Sequence, residues 1–183
     1  MKKQKIIKVF RFEGQNVIIR YPQASDLIGL KDLINALVAD RAYLTVQKKV
    51  NLRQEKKWLS ALLKNIAKKK VVHLLAISNG TIVGNCQVVS AGGPDRHYIG
   101  TFGIMIRKEY QNRGLGKKLL KIVIQEAKKI LGVNMVILTV MSPNLRAQKV
   151  YRTCGFEEYG RLKRGLKHYG RYVDEIHLVK YLR

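Results

Sequence analysis

The order of hydrophobic patterns along this chain predicts an α/β (α+β) fold. It has a central mixed, mostly antiparallel sheet of about seven strands, flanked by about four helices. Three observations predict it. The apolar period is 3.6 residues in some segments and 2 in the others. An Asn79-Gly80 pair separates two strand-like runs, a strong hairpin signal. A near-continuous apolar run, Met135 to Val140, suits a strand covered on both faces by helices. The 183 residues suffice for a single domain, residues 1–183, with a real core.

Taken in order, residues 1–12 alternate Lys and Arg with Ile, Val and Phe, and read as either a basic arm or an extra edge strand. Val17 to Arg20 is a short strand ended by Pro22. Ser25 is a good N-cap for a helix to about Ala39, with Leu27, Leu30, Leu33, Ile34 and Leu37 on one face. Residues 41–51 connect it to a second amphipathic helix, Leu52 to Ile66, with Trp58, Leu59, Leu62, Leu63 and Ile66 inward. Two strands follow, Val71 to Ser78 and Thr81 to Val89. A turn at Gly92-Gly93-Pro94-Asp95 then leads to a third, His97 to Ile106. Gly114 to Leu131 is a helix buried along Leu115, Leu119, Ile122, Val123 and Ala127. After the Met135–Val140 strand, a helix from Asn144 to Cys154 stops at Gly155. Two last strands, 157–168 and 172–181, turn at Tyr169-Gly170-Arg171.

The charge balance is unusual. Lys and Arg number 36 against 12 Asp and Glu, a net charge of +24. Such a field attracts a polyanionic partner: ribosome, RNA, acidic protein or a phosphorylated cofactor. A lysine coat without a partner has the same composition. Cys86 and Cys154 make neither a disulfide framework nor a metal pattern. His73, His168 and His177 lack ligand spacing, so no metal is expected. Charge interrupts Met1 to Arg20 throughout, which excludes a signal-peptide core. No stretch approaches the ~18 apolar residues that span a bilayer. The expectation is a soluble, cytoplasmic protein with no membrane partner.

One segment carries chemistry. Ile104, Met105 and Ile106 end a strand; Gln111, Asn112, Arg113, Gly114, Leu115, Gly116 and Lys117 turn into a long helix. A helix start offers unpaired N–H groups and the positive end of the macrodipole. Gly114 and Gly116 have no Cβ, so an anion can approach the main chain. Arg113 and Lys117 add charge. A P-loop would need Gly-x-x-x-x-Gly-Lys-Ser/Thr, which is absent. A dinucleotide fingerprint would need a third Gly where Leu119 stands.

Gln-x-x-Gly-x-Gly at 111–116 resembles the acetyl-CoA signature of the GNAT family of N-acetyltransferases, and Ile104-x-Ile106-x-x-x-Tyr110 is similar to that family's lead-in. Asn144-x-x-Ala147-x-x-x-Tyr151-x-x-x-Gly155-Phe156 looks like its second hallmark. The resemblance covers residues 71–181. It implies a GNAT-like fold and acetyl transfer from acetyl-CoA to a primary amine by direct attack in a ternary complex. The acceptor is then a protein N-terminus, a lysine or a small amine, and a homodimer is compatible with the family. Residues 111–117 would bind the pyrophosphate, 104–106 would pair with pantetheine, and Asn144 would bond the pantetheine arm, cap its helix, or both. Tyr151 would protonate the leaving thiolate or serve as a core ring. Among the carboxylates Glu55, on the helix that borders the acceptor groove in the family, is the candidate base; its other role is an ion pair with nearby Lys or Arg. Two alternatives stand beside this. One is a basic nucleic-acid- or ribosome-binding protein; the other is a GNAT fold that binds coenzyme A without turnover.

Overall fold

The computed structural model describes residues 6–182. Eight strands build one sheet: β1 (Ile6–Phe12), β2 (Gln15–Arg20), β3 (Val71–Ser78), β4 (Thr81–Ser90), β5 (Ile99–Ile106), β6 (Met135–Met141), β7 (Glu157–His168) and β8 (Arg171–Tyr181). Their spatial order is β1-β2-β3-β4-β5-β6-β8-β7. Every pairing is antiparallel except that of β5 with β6. Four α-helices flank it: α1 (Leu27–Ala39), α2 (Leu52–Ala67), α3 (Leu115–Leu131) and α4 (Leu145–Thr153).

The eighth strand is β1. Glu13 and Gly14 both adopt positive φ, 49° and 78°, which twists a two-residue turn to suit antiparallel strands. Phe12 is thereby buried in the core, and the edge-strand option holds for Ile6–Phe12. Residues 1–5 lie outside the described part. Two further expectations are corrected. Ser25 does not cap α1: a 3-10 turn, Ala24–Asp26, precedes it, and Asp26 accepts from the Gln23 N–H while its carboxylate pairs with the Arg20 guanidinium. Trp58 does not point inward. It stays 38% exposed at the margin of α2, its ring edge-on to His73 at 5.7 Å.

Period-2 alternation divides the sheet's two faces. Val72, Leu74, Val88 and Phe102 pack with Leu115, Leu119 and Val123 of α3 and with Tyr151 of α4. Val71, Leu75 and Ile82 pack with Leu30, Leu33 and Leu37 of α1 and Leu59 and Leu62 of α2. The second face also carries polar residues. His73 is 1% exposed and Asn85 3%. His73 Nδ1 lies 3.1 Å from Gln87 Oε1, while its Nε2 has no hydrogen-bond partner among the described residues.

Burial pushes the His73 pKa down from 6.5 to about 4. A base depressed on folding leaves the unfolded chain to take up the proton first as pH falls. Its stabilising contribution is therefore full above 6.5 and lost towards 4, a change of about 3 kcal/mol. The urea midpoint should drop across that window, and His73→Phe should flatten the drop. An equally steep curve in the variant would assign the acid sensitivity elsewhere.

Parallel pairing of β5 with β6 ends early. It joins Ile99 to Met135, Gly100 to Val136 and Thr101 to Ile137, and no further. Beyond that point β5 pairs only with β4, and β6 only with β8. The sheet splits into a V that opens towards the C-terminal ends of both strands.

Candidate active site

The V has two unpaired main-chain edges. Arg107 N–H donates to Val83 O, so the odd-numbered residues of β5 bond β4. A strand residue points its N–H and C=O to the same edge, which leaves those of Ile104 and Ile106 facing the cleft. The Ile106 carbonyl accepts from Gln111 Nε2 at 2.7 Å. Ile104 pairs neither group among the described residues. Met105, between them, turns its side chain to the opposite sheet face, against the α1–α2 cluster.

At the open end of the V the chain makes a short 3-10 turn, Lys108–Tyr110, and enters α3. Asn112 and Gly114 have φ of 63° and 85°, so the main chain curls with its N–H groups turned inward. None of the N–H groups of residues 112–117 donates to a described residue. Six consecutive donors at a helix N-terminus form a cradle for an anion. A Cβ at Gly116 would sit 3.3 Å from Ile106 Cδ1, so glycine there lets the helix start close against β5.

The side chains of this turn are less free than its main chain. Gln111 N–H is used by Lys108 O, and Gln111 Oε1 accepts from Arg146 Nη1 at 2.6 Å. Gln111 therefore bridges the end of β5 to the first turn of α4 across the mouth of the cleft. Arg113 pairs with Glu13 of the β1–β2 turn at 2.5 Å. Lys117 is exposed, and Leu115 is fully buried and anchors the helix.

On the other lip, Asn144 caps α4, its Oδ1 accepting from Ala147 N–H at 3.2 Å. Capping uses the oxygen and leaves the amide NH₂ to donate elsewhere. One helix face further, Tyr151 is 8% exposed, its ring against Phe102 at 5.9 Å and Phe156 at 6.0 Å. Its hydroxyl has no hydrogen-bond partner among the described residues, yet is not sealed from solvent. Burial raises its pKa to about 12, so it keeps its proton throughout the working pH range.

Glu55 is 7% exposed and begins the inward stripe that Leu59 and Leu62 continue. It forms no ion pair among the described residues, although Arg53, Lys56 and Lys57 are its sequence neighbours. Burial alone raises its pKa. It shares the α1–α2 side of the sheet with Met105 and with the polar row His73, Gln87 and Asn85, a row the sequence offered only as ordinary alternation. Two other carboxylates are engaged: Asp174 with Arg161 and the Arg164 N–H, and Glu126 with Tyr21.

A split between two parallel strands, an anion cradle at its open end and a spare amide on its lip fit a long ligand with a phosphorylated head and an amide-bearing arm. This architecture defines an acyltransferase that takes its acyl group from a coenzyme A thioester. The chain belongs to the Acetyltransferase (GNAT) family, whose model matches residues 38–156. It is 31% identical over 110 residues to the L-amino acid N-acetyltransferase AaaT of Escherichia coli, covering 60% of this chain and 68% of that one. Among solved structures, it superposes on yncA of Salmonella typhimurium with its cofactor acetyl-CoA. The TM-score is 0.78 at 20% identity, covering 91% and 94% of the two chains. The ribosomal-protein-S5-alanine acetyltransferase of Vibrio fischeri gives a TM-score of 0.82 at 19% identity, covering 95% and 96%. The protein is an N-acetyltransferase: it passes the acetyl group of acetyl-CoA to an amine. No described helix is long and apolar enough to cross a membrane.

Proposed function

We propose that the acceptor is an α-amine, of a peptide or amino acid, that reaches the cleft between the α1–α2 loop and the β7–β8 hairpin. The observation that carries the site assignment is the unpaired edge at Ile104, where β5 and β6 have parted. The pantetheine arm lies along this edge as a strand would, with Asn144 donating to one of its amides. The diphosphate sits on the N–H groups of residues 112–117, held in place by Gln111 rather than bound by its side chain. The acceptor assignment is supported by two of the relatives, one named for L-amino acids and one for a ribosomal-protein alanine, both of which offer α-amines; two shorter matches are named for spermine. An α-amine also suits the chemistry. At a peptide N-terminus, with a pKa near 7.8, it is neutral in roughly one molecule in seven at pH 7, against about one in 2,500 for a lysine.

The amine nitrogen attacks the thioester carbonyl carbon. Negative charge gathers on the carbonyl oxygen and is met by a cleft-facing N–H, that of Ile104 or Ile106. The C–S bond breaks as the amide C–N bond completes. The amine's surplus proton leaves towards the Glu55 carboxylate, directly or through water, and Tyr151 gives its proton to the thiolate.

Tyr151→Phe tests the last step, since it keeps the ring between Phe102 and Phe156 and removes only the hydroxyl. Turnover should fall roughly 10²-fold with little change in the KM for acetyl-CoA. Unchanged kcat would reduce Tyr151 to a packing residue.

A further inference from the structure

The α1–α2 loop and the β7–β8 hairpin meet beyond the open end of the cleft. The hairpin overhangs it, because residues 171–174 of β8 run past Met141, the last residue of β6. Gln47 ties the two together: its Nε2 donates to Lys167 O at 2.7 Å, and Tyr169 N–H donates to its Oε1 at 2.8 Å. The Tyr169 hydroxyl adds a bond to Val38 O at 3.0 Å.

This junction concentrates positive charge. Residues 41–57 hold six Lys and Arg and a single carboxylate, the buried Glu55; residues 159–173 hold five and none. Of these eleven cations only Arg161 forms an ion pair among the described residues. A rim of this sign repels a polyamine or a lysine-rich chain and draws in an anionic one.

We propose that the acceptor is an acidic peptide that enters amine first, with its carboxylates held by this rim. The inference rests on the α-amine reading above. The extent of the rim selects a peptide over a free amino acid. Arg161 to Lys167 alone spans about 20 Å of strand, beyond the reach of one carboxylate. RNA is the other polyanion of this size, but its single strands bind on open aromatic faces as well as on charge. Here the exposed rings of Tyr43, Tyr159 and Tyr172 each already pack against a cation or a histidine ring. Arg164 and Lys167 lie over Tyr172 at 4.7 and 5.5 Å, Arg41 over Tyr169 at 5.4 Å, and His168 against Tyr43 at 5.2 Å.

The test uses the full chain, acetyl-CoA and three peptides of equal length with one neutral N-terminal residue. They carry Glu, Ser or Lys at the positions that follow; spermidine is a fourth acceptor. The expected kcat/KM is about tenfold higher for the acidic than for the neutral peptide and lowest for the cationic acceptors. The spread should shrink several-fold from about 20 to about 300 mM salt. Reversing two rim charges, Lys48→Glu with Arg171→Glu, should narrow or invert the acidic-to-basic ratio. A flat ranking, or a preference for the basic peptide or spermidine, overturns the proposal and leaves acetyl transfer to α-amines standing. No turnover of any peptide overturns the proposal, and the α-amine reading falls with it only if free L-amino acids are not acetylated either. Salt-sensitive binding of single-stranded RNA that the double reversal abolishes, together with a flat peptide ranking, would give the rim to RNA and overturn the proposal.

Discussion

Gly114→Glu should abolish the rise in melting temperature that acetyl-CoA produces, and should lower kcat/KM by roughly 10²-fold or more. Two effects combine. Gly114 has φ of 85°, a left-handed conformation that costs an L-residue about 1–2 kcal/mol. Nothing lies within 4 Å of the position a Cβ would take, so the substituted chain folds without collision and its side chain projects from the cradle. A carboxylate there competes with the diphosphate for the N–H groups of residues 112–117 and repels it. Gly114→Ala separates the two effects, because it carries the backbone cost without the charge. A Glu variant that still shifts with coenzyme A as the Ala variant does would move the anion site away from this turn.

Glu55→Gln should act in opposite directions on rate and stability. Burial holds the carboxyl above its ordinary 4.5. The fold thus prefers the protonated form; that contribution is full at low pH and is lost as pH rises through the raised value. At neutral pH the buried carboxylate is a burden, and a neutral Gln of the same shape relieves it, raising the melting temperature. The same variant has no base. Its kcat/KM should fall by roughly 10²-fold, and the acid limb of the pH–rate profile that belongs to Glu55 should vanish, leaving the limb of the acceptor amine. A stabilised variant with full activity would make Glu55 a structural residue. A slow variant with no gain in stability would point to an ion pair in the bound state.

What could be read from the sequence was local. The glycines at 114 and 116, the cap at Asn144 and the ring at Tyr151 sit at fixed spacings within single turns and helices: the glycines start α3, Asn144 caps α4, and Tyr151 packs on Phe102 of β5. The seven strands and four helices followed from period together with turn, cap and breaker residues such as Asn79-Gly80 and Gly155. What escaped joins distant residues. Glu13 meets Arg113, Gln111 meets Arg146, and Gln47 meets Lys167, so no spacing along the chain announces that these cations and amides are engaged. The polar row His73, Asn85 and Gln87 was hidden for another reason. One polar residue in an alternating strand looks the same whether water or a helix covers it. Trp58 shows the converse: helical period put it inward, but the stripe that α2 buries is narrower than its apolar face.

On the proposed reading, the parted strands make the donor molecule part of the architecture. Where β5 and β6 part, the sheet has two short main-chain edges in its interior, of the sort that elsewhere recruit a foreign strand. A donor arm laid along Ile104 closes one of them. Binding of the donor then also shields a main-chain edge inside the sheet.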